Sequence, residues 1–330
     1  MADILMSEVD YYYILVMAGQ SNGMAYGEGI PLPQGIDSPH PRIKQLARRS
    51  QICPGGEPCN YNDIIPLDHC PHDVQDMSGY SHPMAKKNQY GTVGQALHIA
   101  KKLLPFIPDN AGILTVPCCR GGSAFTAGGY GVFSEQSGAT HDAMRWGKNT
   151  PLYMDLVNRT RAALEHNPEN KFLGVYWMQG EFDIMSDSFC LQPSLFNEMV
   201  KAFRYDLAAY RNQFLPESNN IVPWFCGDTT WYWKEQYPQQ YDFIYGNYKN
   251  YDNENIIFVS FQEDEERGLT NSPGEDPDDL VSGYYGSSYR TEENWTTALR
   301  SSHFNSVARR GIIPDKFACA TFEFYNHTFR

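Results

Sequence analysis

Gly19-Gln20-Ser21-Asn22-Gly23 follows directly on the apolar run Tyr11–Met17. A serine at the exit of a buried strand, with glycine permitting a tight turn, can present its hydroxyl beside unbonded backbone N–H groups. That is the setting of nucleophilic acyl transfer. The same position also suits a serine that merely caps a helix. A second run, Ile113–Val116, leads into Pro117-Cys118-Cys119-Arg120-Gly121-Gly122-Ser123. Gly121 and Gly122 let backbone amides approach a ligand, as an oxyanion hole requires, and Arg120 can receive a carboxylate or form an ordinary salt bridge. No G-x-x-x-x-G-K pattern is present, so this is not a phosphate loop. A third run, Phe172–Trp177, leads into Met178-Gln179-Gly180-Glu181-Phe182-Asp183. The neutral amide of Gln179 can donate to a developing oxyanion, while Glu181 and Asp183 can orient a histidine or brace the loop.

A general base working at neutral pH is best supplied by histidine. Among the 9 histidines, His303 in Leu299-Arg300-Ser301-Ser302-His303-Phe304 stands at the start of a late helical pattern. His69 and His72 cluster with Cys70 and Asp73, but in no zinc-binding spacing. His98 falls within a helical pattern and is read as structural.

These candidates need a scaffold that brings strand exits together. Tyr11–Met17, Ile113–Val116, Phe172–Trp177, Val222–Phe225 and Ile256–Phe261 are short runs rich in β-branched and aromatic residues, as expected of strands buried on both faces. Helical patterns alternate with them: Thr92–Leu104, Leu152–Leu164 behind Thr150-Pro151, Leu195–Phe214 behind Ser194, Ser302–Arg310 and Asp315–Phe324. Strand and helix in alternation predict a parallel sheet covered on both sides, with ligands at the carboxyl ends of its strands. No repeat or low-complexity linker divides the chain, so residues 1–330 are read as a single domain. Two long loop regions stand out: Gly27–Lys87, and the acidic Gln262–Asp279, read as a solvated loop. In the latter, Asp276, Asp278 and Asp279 do not match an EF-hand.

The chain has 330 residues, 42% of them hydrophobic, enough for a sizeable core without disulfide or metal staples. Its 26 basic and 39 acidic residues give a net charge of −13, which disfavours nucleic acid and anionic membrane as partners. No apolar run approaches the ~20 residues of a spanning helix. Met1–Asp10 carries Asp3, Glu8 and Asp10 and no basic residue, unlike a signal peptide. The 8 cysteines form no C-x-x-C pair. Together these features predict a cytoplasmic location, with the periplasm as the alternative.

Gly19-Gln20-Ser21-Asn22, Arg120-Gly121-Gly122-Ser123, Trp177-Met178-Gln179-Gly180-Glu181-Phe182-Asp183 and the late His303 resemble the blocks of SGNH hydrolases. More narrowly, the chain is similar to carbohydrate esterases with a GQSN nucleophile block, and within these to bacterial esterases that deacetylate 9-O-acetylated sialic acid. The resemblance extends over nearly the whole chain, through Tyr26-Gly27-Glu28-Gly29, His40–Arg48 and Cys226–Lys234. It implies a three-layer α/β/α fold with a mostly parallel sheet of about five strands and long site-lining loops. It also implies Ser21 as nucleophile and His303 as base. The oxyanion hole would comprise the N–H groups of Ser21 and of Gly122 or Gly121, with the Gln179 side chain. No metal or organic cofactor is implied.

One position departs from the pattern. Many SGNH enzymes carry an aspartate three residues before the histidine, where this chain has Arg300, which cannot accept the imidazole N–H. The orienting group is then a backbone carbonyl near Arg300–Ser302, Glu181 or Asp183, or nothing, and a carbonyl is favoured here. An acidic protein that binds a sialic acid carboxylate should keep a local cation, for which Arg120 and Arg300 are the candidates. Asp228 and Trp231, in the matching Cys226–Lys234 stretch, are further candidates for substrate binding, Trp231 by stacking on sugar or by packing in the core. The expected partner is therefore a small-molecule O-acetylated sialic acid. The alternatives are an acetyl esterase for a neutral polysaccharide such as xylan, and a non-catalytic glycan-binding protein on the same fold.

Overall fold

The computed structural model describes residues 9–24, 35–48, 50–52, 57–69, 93–250, 255–261, 302–304 and 306–326. Strand β1, Tyr11–Gly19, sits at the centre. Side chains alternate across a pleated strand, and here both sets are buried. Ile14, Val16 and Ala18 enter one apolar cluster, whereas Tyr13, Leu15 and Met17 enter another on the opposite face. Two dry faces explain why the run lacks a polar alternation.

The other strands are β2 (Ile43–Leu46), β3 (Ile64–Pro66), β4 (Ala111–Cys119), the hairpin β5 (Phe133–Ser134) and β6 (Gly138–Ala139), β7 (Lys171–Met178), β8 (Trp224–Gly227) and β9 (Ile256–Val259). The main sheet has seven strands in the order β3-β2-β4-β1-β7-β8-β9. Every neighbouring pair is parallel except β2 with β3. The architecture is the expected α/β one, and the correction is to the count. β2 and β3, of four and three residues, lie inside the long region read as loop and are too short for a periodicity to register.

Helices cover both faces: α1 (Ala96–Leu103), α2 (Pro151–Glu165), α3 (Glu181–Ile184), α4 (Gln192–Asp206), α5 (Trp231–Gln236), α6 (Pro238–Lys249), α7 (Ser306–Arg310) and α8 (Ile312–Phe324). Buried residues of α2, α4 and α6 share the cluster of Ile14 and Val16, and those of α1 and α8 share the cluster of Leu15 and Met17. Helix α2 begins as its sequence predicts, with the Thr150 hydroxyl accepting from Tyr153 N–H and Pro151 in the first turn. Helix α4 does not. It starts at Gln192, with Pro193 in its first turn, and Ser194 donates to the Leu191 carbonyl instead of capping. After Asp206 the chain tightens into a 3-10 segment broken at Tyr210. Among the described residues no helix is long and apolar enough to cross a membrane.

Candidate active site

Parallel pairing carries β1, β4, β7 and β8 to one end of the sheet, where their exits meet. Strand β1 ends on Gly19 at φ +125°, and a β-carbon there would stand 2.0 Å from the Met178 carbonyl oxygen. Only glycine permits so close an approach of the β1 exit to its sheet neighbour β7. Gln20 N–H then donates to Met178 O at 2.7 Å, and Ser21–Gly23 forms a 3-10 turn. Ser21 is not the cap of a longer helix. Its Oγ lies 2.9 Å from His303 Nε2. For Nε2 to accept the hydroxyl proton, Nδ1 must carry the imidazole hydrogen, and Ser302 Oγ, 3.1 Å from Nδ1, stands as acceptor.

Asn22 brackets the histidine. Its Nδ2 donates to Ser302 O at 3.1 Å, and its Oδ1 accepts from Phe304 N–H at 3.1 Å, one residue to either side of His303. Trp233 Nε1 also donates to Ser302 O, at 3.1 Å. Buried Arg309 joins the same segments, donating to Phe304 O at 3.0 Å and to Asn22 O at 3.0 Å. Sequence reasoning passed over Asn22 and Arg309. Asn22 at least could have been found, as the fourth residue of the nucleophile block.

At the β4 exit, Gly122 adopts φ +71°, where a side chain is strained. The backbone N–H groups of Ser21, Gly121 and Gly122 donate to no acceptor among the described residues. Gln179 departs from its expected place in this hole. It is wholly buried, its Nε2 donates to Asp183 Oδ2 at 2.5 Å and to Ser123 O at 3.5 Å, and its Oε1 accepts from Gln192. Both amide hydrogens are engaged within the protein. Gln20, which sequence reasoning left unassigned, takes a different posture. Its Oε1 accepts from Gly180 N–H at 3.4 Å and Phe182 N–H at 3.3 Å, while the residue lines the cavity beside Ser21. Its Nε2 donates to no described residue.

Neither candidate acid touches His303. Glu181 Oε1 accepts from Asn22 Nδ2 and Thr229 Oγ1, each at 2.8 Å. Asp183 accepts from the N–H groups of Phe125 and Thr126, the Thr126 hydroxyl and Gln179. Both are braces, and the role of orienting acid is corrected for both. Burial pushes the Glu181 carboxyl above the ordinary carboxylate range, against the pull of its hydrogen bonds to Asn22 and Thr229.

The candidate substrate contacts also shift. Asp228 is 3% exposed and accepts from Thr229 N–H and Tyr241 OH at 2.8 Å each, with its carboxyl likewise raised by burial, so it is a brace. Trp231 does not line the cavity; its ring carries Lys234 Nζ at 4.3 Å, and its neighbours Tyr232 and Trp233 face the site instead. Residues two apart on a helix point to different sides, so Trp231 and Trp233 cannot share a face. Arg120 donates to the carbonyls of His141 and Ala139 at 3.3 Å, beside the β5–β6 hairpin, and is not among the described residues that line the cavity over Ser21. Arg300, Cys70, His72, Asp73, Gln262–Asp279 and Tyr26–Gly29 lie outside the described residues. No group of metal-ligating side chains occurs among the described residues.

The cavity over Ser21 measures about 200 Å³ and is lined by Gln20, Ser21, Phe182, Tyr232, Trp233 and His303, among others. Two larger grooves, of about 410 and 360 Å³, border Asn149 and Asp206 but contain no serine or histidine. Of these three cavities among the described residues, the smallest is the candidate site, because in it a hydroxyl meets an imidazole and unbonded N–H groups.

A protein-family model described as "Carbohydrate esterase, sialic acid-specific acetylesterase" matches residues 12–216. A protein of Escherichia coli (strain K12), "Probable 9-O-acetyl-N-acetylneuraminic acid deacetylase", is 68% identical over 320 residues, covering 96% of this chain and 97% of that one. The crystal structure of NanS superposes with a TM-score of 0.90 at 66% identity, covering 98% of this chain and 100% of that chain. An Arabidopsis thaliana protein shares the fold alone, with a TM-score of 0.57 at 15% identity, covering 95% of this chain and 98% of that chain. The chain belongs to the sialic acid-specific acetylesterase family of carbohydrate esterases.

Proposed function

We propose that this family member removes the O-acetyl group of 9-O-acetylated N-acetylneuraminic acid through an acetyl-serine intermediate. The observation that carries the reading is the 2.9 Å approach of His303 Nε2 to Ser21 Oγ, beside backbone N–H groups with no acceptor among the described residues. His303 takes the hydroxyl proton as Ser21 Oγ bonds to the acetyl carbon. The carbonyl oxygen becomes an anion held by the N–H groups of Ser21 and Gly122. Gln20 Nε2 supplies the third donor in place of Gln179. His303 then returns the proton to the sugar oxygen as the C–O bond breaks. In the second half, His303 deprotonates water, which attacks the acetyl-serine and releases acetate. General acid–base help contributes ~10²–10⁴-fold, and each oxyanion donor ~10²–10³-fold. The 68% identity to a protein named as a sialic acid deacetylase favours this substrate over a neutral polysaccharide, and the intact Ser21–His303 pair weighs against a purely binding role.

The test is acetate release from 9-O-acetyl-N-acetylneuraminic acid, with Ser21→Ala as control and acetylated xylo-oligosaccharide alongside. Release from the sialic acid, reduced at least ~10³-fold in the variant, is expected. Release only from the xylo-oligosaccharide would overturn the substrate and keep the mechanism. Release from neither would overturn both.

A further inference from the structure

Acyl transfer to a serine fixes three directions around the reacting carbon. The carbonyl oxygen faces the N–H donors, the leaving oxygen lies within reach of the imidazolium, and the acyl substituent takes what remains. Because His303 Nε2 must return its proton to the leaving oxygen, the sugar belongs on the histidine side of the cavity. Ser302, Tyr232 and Trp233 form that side, and the Trp233 indole is tied to Ser302 O. Among the described residues the remaining wall is α3, which offers the two apolar side chains Phe182 and Met185, 41% and 46% exposed.

Phe182 also borders the oxyanion turn. A β-carbon on Gly122 would stand 3.4 Å from Phe182 Cζ and 3.0 Å from Met144 Cε. The ring therefore lies beside the residue whose N–H serves the oxyanion, close to where the acyl carbon sits. Nor can the wall easily retreat. Phe182 N–H donates to Gln20 Oε1, and its neighbours Glu181 and Asp183 are each bonded to other strand exits.

We propose that Phe182, with Met185 beside it, is the acyl-size wall of the site: it seats the methyl of an acetyl ester and turns away longer acyl chains, independently of the sugar. This rests on the esterase reading above. One methylene in a fitted apolar pocket changes discrimination by ~10–200-fold, and a butyryl chain carries two more than acetyl.

The experiment compares kcat/KM for 9-O-acetyl- and 9-O-butyryl-N-acetylneuraminic acid, which share one leaving group, in wild type, Phe182→Ala, Phe182→Leu and Tyr232→Ala. Wild type is expected to prefer acetyl by ~10²-fold or more. Phe182→Ala should cut that preference at least ~10-fold, with butyryl turnover rising in absolute terms, a gain that a merely damaged enzyme would not show. Phe182→Leu should fall between, and it carries the test if the alanine variant does not fold. Tyr232→Ala should raise KM for both esters and leave the preference unchanged. Equal use of both esters by wild type, or an unaltered preference in both Phe182 variants, overturns the wall. A wild type that releases no acetate from the acetyl ester would instead overturn the esterase reading, and the wall with it.

Discussion

Glu181 and Asp183 stand two residues apart on one short helix, both buried, yet their surroundings differ. Asp183 is met by two backbone N–H groups, a hydroxyl and an amide, and both of its oxygens are used. Glu181 receives both of its side-chain donors on Oε1, and its buried Oε2 has no hydrogen-bond partner among the described residues. Asp183 fastens α3 to the loop after β4, where the oxyanion donors lie. Glu181 fastens it to the exits of β1 and β8. The contrast teaches that an acid beside a catalytic pair need not take part in the chemistry. Here two carboxylates hold strand exits in place, one fully compensated and one left partly bare.

The largest effect should come from the compensated acid. Asp183→Ala leaves the N–H groups of Phe125 and Thr126 and the Gln179 amide without their acceptor. It should cost roughly 3 kcal/mol or more of unfolding free energy in urea denaturation. A loss below ~1 kcal/mol would break the comparison, because Asp183 would then be no better anchored than a surface acid. Asn22→Ala comes next. It removes one bond each from Ser302 and Phe304 around His303, and a displacement near 1 Å in a catalytic group costs ~10²-fold in rate. A steady-state assay should show that loss in kcat with KM little changed; a change confined to KM would assign Asn22 to substrate binding instead.

The smallest effect, and the one that sharpens the contrast, concerns charge at Glu181. Its carboxyl is raised in the folded protein, so its contribution to stability is full below the ordinary carboxylate range and is lost as pH rises through the raised value. Glu181→Gln, which has no charge to bury, should match wild type within ~1 kcal/mol in acid and gain on it as pH rises through that window. Tm measured across pH for both proteins checks the sign. A variant that instead fell further behind with rising pH would mean that the ionised carboxylate stabilises the fold.

Much of this was legible in the sequence, for identifiable reasons. The five strand runs each recur as strands, because being buried on both faces leaves an unbroken apolar signal, as in β1 with Ile14–Ala18 wholly buried. β2, Ile-Lys-Gln-Leu, is too short and polar to read as a strand, and it exists because it pairs with β4. Helices α5 and α6 lie in an aromatic stretch whose sequence invited thoughts of sugar stacking, and much of that aromatic surface packs in the core, as do Tyr241, Tyr245 and Tyr248. At the site, residue type located the blocks but not the direction of their side chains. Gln179 and Gln20 are both amides at strand exits. Asp183 engages the first and backbone N–H groups fix the second, and only the packed structure decides between them.

We propose that Ser21 and His303 act together without Glu181 as the acid behind the imidazole. The most direct test is kcat of Glu181→Gln on 9-O-acetyl-N-acetylneuraminic acid at neutral pH, beside wild type. Without that role for Glu181, the value should stay within about tenfold of wild type, since glutamine can still accept from Asn22 and Thr229. A loss near ~10⁴-fold, the scale seen when a triad acid is neutralised, would contradict it and make Glu181 part of the catalytic machinery.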